Sequence, residues 1–88
     1  MKTYLYNTTG VCSRQMKIVI DGETIKSLEV IGGCNGNLKG ISALVSGRNV
    51  DEVIESLKGI KCNNKMTSCP DQLATALQEI KNGQLVAQ

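Results

Sequence analysis

Four cysteines, Cys12, Cys34, Cys62 and Cys69, are the residues of this 88-residue chain best suited to chemistry. Histidine is absent, so no imidazole can share a metal, shuttle a proton or activate a nucleophile. Sulfur ligands without nitrogen partners suit a soft centre, either zinc or an iron–sulfur cluster. Spacing does not name the centre. Successive cysteines are separated by 21, 27 and 6 residues, which leaves no C-x-x-C pair and no zinc-ribbon pattern. On these residues alone three uses stay open: a shared metal-competent site, unrelated loop thiols, or disulfide and redox chemistry.

The surroundings of two cysteines narrow the chemistry. Cys69 stands in the string TSCPD, directly before Pro70, the only proline, and ahead of an apolar-periodic run. That places a thiol at the mouth of a helix, where unpaired amides and the helix dipole favour its thiolate. Ordinary helix-start chemistry accounts for Pro70 and Asp71 but not for the choice of cysteine. Cys34 lies between Gly33 and Asn35-Gly36, in a stretch where glycines let backbone approach a ligand closely. A plain strand-to-helix loop would use the same glycines.

The elements that must position these thiols follow from periodicity. Lys2 to Tyr6 and Gln15 to Asp21 read as strands, the second with Met16, Ile18 and Ile20 on one face. Asp21-Gly22 signals a turn into a third strand from Thr24 to Ile31, where Leu28 and Val30 share a face. After the glycine-rich IGGCNGN loop, Leu38, Ile41, Leu44 and Val45 mark a helix ending near Ser46-Gly47. Val50, Val53, Ile54 and Leu57 repeat at i, i+3, i+4, i+7 behind Asn49 as cap, and Lys58-Gly59 closes that helix. The last helix opens at Pro70, runs through Leu73, Leu77 and Ile80, and stops near Asn82-Gly83. The expected fold is α+β: one domain over residues 1–88, with a small antiparallel three-stranded sheet covered by about three helices. All four cysteines then fall at element ends. None sits on an apolar stripe, where a cysteine serving as a small hydrophobe belongs.

Composition removes several function classes. Phe and Trp are absent, Tyr4 and Tyr6 are the only aromatics, and the net charge is +2. Scattered lysines with almost no stacking platforms argue against nucleic acid as a partner. No apolar stretch approaches the roughly 20 residues that span a bilayer, and the first residues lack a signal-peptide core. A cytoplasmic location with reduced thiols is expected. No phosphate-binding loop and no catalytic triad can be assembled. Asp51, Glu52 and Glu55 lie at the start and on the solvent side of an ordinary helix, where helix polarity explains them.

The string TSCPD at Thr67 to Asp71 resembles the signature of the TSCPD domain family. The layout GVCS, GGCNGN, IKC and TSCPDQLA, from about Tyr4 to Ile80, resembles its short stand-alone four-cysteine members. That family includes modules at the C-termini of some cobalamin-dependent ribonucleotide reductases. The resemblance implies that all four cysteines matter, and it points to a larger reductase or a cluster-assembly protein as partner. The chain is too short to hold a reductase barrel, so reductase activity belongs to larger relatives.

A fainter likeness is to the U-type iron–sulfur scaffold proteins, in which Cys12, Cys34 and Cys69 would occupy the three ligand positions. Arg14 stands where scaffolds carry an acidic residue, Ser68 where they carry histidine, and Cys62 is extra. The scaffolds' proline-containing chaperone segment has no counterpart around Lys61 to Met66. Those departures imply a firmer site of four thiolates with Cys62 as the fourth ligand. Arg14, Lys61 and Lys65 could offset part of its negative charge. The expected function is a small metal-binding protein with Cys12, Cys34, Cys62 and Cys69 as ligands of zinc or an iron–sulfur centre. A thiol-based sulfur or electron carrier acting through Cys69, or a non-catalytic docking module, are the alternatives.

Overall fold

The computed structural model describes residues 1–8, 13–32, 35–60 and 68–87, the side chains of 35–38 excepted. Three strands, β1 (Lys2–Asn7), β2 (Ser13–Asp21) and β3 (Thr24–Gly32), form an antiparallel sheet in the order β1-β2-β3. Three helices follow: α1 (Asn35–Val45), α2 (Val50–Leu57) and α3 (Cys69–Lys81). The architecture is the expected α+β arrangement.

The sheet's inner face is built by the period-2 pattern. Tyr4 pairs with Ile18 and Tyr6 with Met16, while Leu28 and Val30 lie opposite Ile18 and Met16 on the other side. These residues join Leu73, Ala76 and Leu77 of α3, Val50, Val53 and Ile54 of α2, and Val45 of α1 in one core. Lys17 and Glu29 point outward and face each other across β2 and β3.

Two β-bulges interrupt the pairing, each with a single extra residue. Ser13 pairs with Gly32 and Gln15 with Ile31, so Arg14 is extra on β2. Val19 pairs with Ser27 and Ile20 with Ile25, so Lys26 is extra on β3. A bulge reverses the alternation beyond it. Ile25 is thereby turned into the core, and so is Ser13, which strict alternation with Gln15, Lys17 and Val19 would have left on the outer face.

The helices correct two details of the sequence reading. The first begins at Asn35, so the NGN of the glycine-rich stretch is its first turn rather than loop. Within it Val45 is buried and Ile41 packs on the core, whereas Leu44 is 71% exposed. At about 100° per residue, a stripe running through Ile41 and Val45 leaves Leu44 at its solvent edge. The α1–α2 connection closes over the start of β3: Gly47 N donates to Ile25 O, and Ile25 N donates to Arg48 O.

Asn49 caps α2 as its side chain predicted, accepting from Asp51 N at 2.8 Å and Glu52 N at 3.2 Å. Replacing Asn49 with alanine is expected to cost about 1 kcal/mol of unfolding free energy, measured as a lowered urea midpoint at unchanged slope.

Candidate metal centre

Only Cys69 among the four thiols lies within the described residues; Cys12, Cys34 and Cys62 lie outside them. The sequence placed Cys69 off every apolar stripe, and here the structure differs. Cys69 is 8% exposed and belongs to the core. The reason is the helix start. Ser68, in extended conformation (φ −145°, ψ 170°), is the N-cap of α3, and Cys69 rather than Pro70 is the first helical residue. As part of the helix, Cys69 falls about one turn before Leu73 and two before Leu77, on the same buried face.

The rest of the TSCPD string has a defined job. Ser68 Oγ accepts from Asp71 N at 3.2 Å and donates to Ile60 O at 2.6 Å. Asp71 Oδ1 accepts from Gly59 N at 2.7 Å. A capping-box carboxylate normally reaches back to its own cap. Asp71 reaches instead to the end of α2, so cap and carboxylate together clamp the two residues that precede the Lys61–Cys62 segment. Thr67 lies outside the described residues.

Ser13, immediately after Cys12, lies with its Oγ 3.3 Å from the Cys69 sulfur. Its strand partner Gly32 precedes Cys34 by two residues. Gly32 has φ 83°, and a Cβ there would stand 3.3 Å from Arg14 Nε, so the arginine side chain lies across this glycine. Buried side chains mark the same end of the sheet. The buried polar residues among those described are Ser13, Ser68 and Gln72. Ser13 and Ser68 are neighbours of cysteines, and Gln72 is one helical turn beyond Cys69. Burying a hydroxyl or amide is unfavourable unless it is hydrogen-bonded, and no buried side-chain nitrogen or oxygen among the described residues lacks a partner. Sequence reasoning missed this polar cluster. Its one linear signal was a serine beside each of Cys12 and Cys69.

Two helix N-termini also adjoin cysteines: α1 starts at the residue after Cys34, and α3 starts with Cys69 itself. Each is a source of partial positive charge suited to a thiolate. Among the described residues no group of three or more Cys, Asp, Glu or His side chains forms a metal cluster. The carboxylates of α2 are occupied otherwise. Asp51 pairs with Lys81, Glu52 with Arg48 and Glu55 with Lys58, all at the surface. A cleft of about 390 Å³ lies at the opposite end of the sheet, bordered by Lys2, Ile20, Gly22 and the Asp51–Lys81 pair, with no thiol among the described residues that line it.

Tyr6 records the electrostatics of the α3 side. Burial raises its pKa above the ordinary 10.0, and the charges of Glu79 and then Asp71 raise it further. The folded protein therefore holds the phenol proton more tightly than the unfolded chain does. Stability from this group is complete below pH 10 and is lost as pH rises toward the folded value. Unfolding free energy is expected to fall with pH above 10, and Tyr6→Phe should flatten that slope in urea titrations across the alkaline range.

A three-stranded sheet with one helix-covered face, and cysteine-flanking residues meeting at one end, defines a small α+β protein with a serine-capped thiol helix. The TSCPD domain profile matches residues 2–81, and the chain belongs to this family. No curated protein and no solved structure matches the chain. No helix among the described residues is long and apolar enough to cross a membrane.

Proposed function

We propose that this TSCPD protein binds a metal through Cys12, Cys34, Cys62 and Cys69, as zinc or an iron–sulfur centre, in the service of a larger reductase or cluster-assembly partner. The observation that carries the reading is the Ser13–Cys69 contact, which brings the neighbour of Cys12 against the thiol of α3. Two more flanks lie near by in the same framework: Gly32, two residues before Cys34, pairs with Ser13, and Ile60, two residues before Cys62, is bonded to Ser68. Described residues that flank the four cysteines in the sequence thus approach one end of the fold.

The donor set fits the group. All-sulfur coordination closes a zinc site or anchors a cluster and leaves no position for a water nucleophile, so the character is structural or electron-carrying. A carrier that works by open thiol attack suits Cys69 less, because at 8% exposed its sulfur offers little surface to an incoming electrophile.

Anaerobic purification with elemental analysis and a visible spectrum tests the proposal. Stoichiometric zinc or iron with sulfide, together with protection of all four thiols from alkylation, is the expected result. Colourless, metal-free protein with four titratable thiols overturns it.

A further inference from the structure

The geometry points to Ser13 as a positioning residue of this thiolate site: its hydroxyl donates to the Cys69 sulfur when that sulfur binds metal, and turns to Thr8 when it does not. The inference rests on the metal-binding reading above and adds a residue that is not itself a ligand.

The bulge at Arg14 aims Ser13 inward, where it is 4% exposed with Oγ 3.3 Å from Cys69 Sγ, and either atom can be the donor. Thr8 lies on the other side. Its hydroxyl donates to Ser13 O at 2.5 Å, so its own proton is committed, while its Oγ1 stands 3.5 Å from Ser13 Oγ as an acceptor. A serine hydroxyl has one proton and two lone pairs. Without metal, Cys69 S–H donates to Ser13 Oγ, and Ser13 O–H points to Thr8 Oγ1. When metal binds, the thiol proton leaves to solvent, a sulfur–metal bond forms, and the sulfur becomes acceptor only. The Ser13 proton then swings from the long Thr8 contact to the sulfur. Every buried polar atom of the trio keeps a partner in both states.

A donor on a ligating sulfur withdraws charge from a centre that carries four thiolates, and it fixes the orientation of the ligand. The alternation that puts Lys17 and Val19 outside would have wasted this serine. The bulge makes it available.

The test uses the full chain, reduced and handled anaerobically, with zinc affinity read by competition against a chromophoric chelator and cobalt(II) as spectroscopic probe. Ser13→Ala is expected to weaken zinc binding about tenfold and to move the sulfur-to-cobalt charge-transfer band to lower energy. Ser13→Thr, which restores the hydroxyl, is expected to recover both. Unchanged affinity and band in Ser13→Ala, or equal impairment in Ser13→Thr, overturns the inference while leaving the metal site standing. Failure of the wild type to take up zinc or cobalt is a different outcome and overturns the metal reading itself. A readout free of any Ser13 substitution is the S–H stretching band of reduced, metal-free protein, assigned by difference against Cys69→Ala. A thiol donating to oxygen absorbs at lower wavenumber than one without an acceptor, and an unshifted Cys69 band overturns the inference.

Discussion

Cys69→Ala is expected to reduce metal affinity more than about 100-fold, beyond the range typical for outer-shell partners, while the domain stays folded. Alanine is the best helix former, and position 69 is the first helical residue of α3, so backbone geometry favours the change. The lost sulfur removes a small apolar volume from the edge of the core, which costs about 1 kcal/mol. The Ser68 cap and the Asp71–Gly59 bond do not involve the thiol and persist. Metal content by elemental analysis and fold by circular dichroism separate the two effects. Full metal retention in Cys69→Ala would remove this sulfur from the ligand set.

Leu77→Ala is expected to destabilise the domain by about 3–4 kcal/mol. Leu77 is 0% exposed and packs in the same cluster as Met16 and Ile18, so truncation leaves a cavity between sheet and helix that rigid strands cannot collapse to fill. A domain of 88 residues has a total stability of only about 4–13 kcal/mol. The loss is therefore between about a quarter and nearly all of the total, and the urea midpoint should fall in the same proportion at unchanged slope. Leu44→Ala, at the solvent edge of α1, is the control and should change stability by less than about 0.5 kcal/mol. The two predictions are linked. A ligand that binds only the native state at 100 times its dissociation constant adds about 2.7 kcal/mol, so saturating zinc should restore most of the Leu77→Ala loss. No such rescue should occur when Cys69 is also replaced.

Much of the scaffold was readable in the linear order, because its signals act over a few residues. Met16, Ile18 and Ile20 alternate, and they are all buried. Val50, Val53 and Ile54 recur with helical spacing, and Asn49 precedes them with a side chain able to accept two amides. Leu44 misled for a related reason: spacing defines a stripe but not its width, and the sheet beneath decides where the stripe ends. The first turn of α1 was read as loop because glycine and asparagine score as breakers, and such weak preferences yield to tertiary context.

The candidate site divides the same way. The sequence determined which atoms are on offer: four sulfurs, no imidazole, and a cysteine beside a helix start, all consequences of residue identity and immediate neighbours. Its strand and helix periods also determined that an antiparallel sheet would need cover on one face. Only the tertiary structure decided that Ser13 meets Cys69 across 56 positions. That contact requires one extra residue in β2, which reverses the face on which Ser13 lies, and it requires α3 to dock with its first turn at that end of the sheet. Neither the bulge nor the docking is set by local propensity. Both follow from packing the whole core at once, because the burial of Leu73 and Leu77 against Met16 and Ile18 fixes where the helix begins relative to the strand.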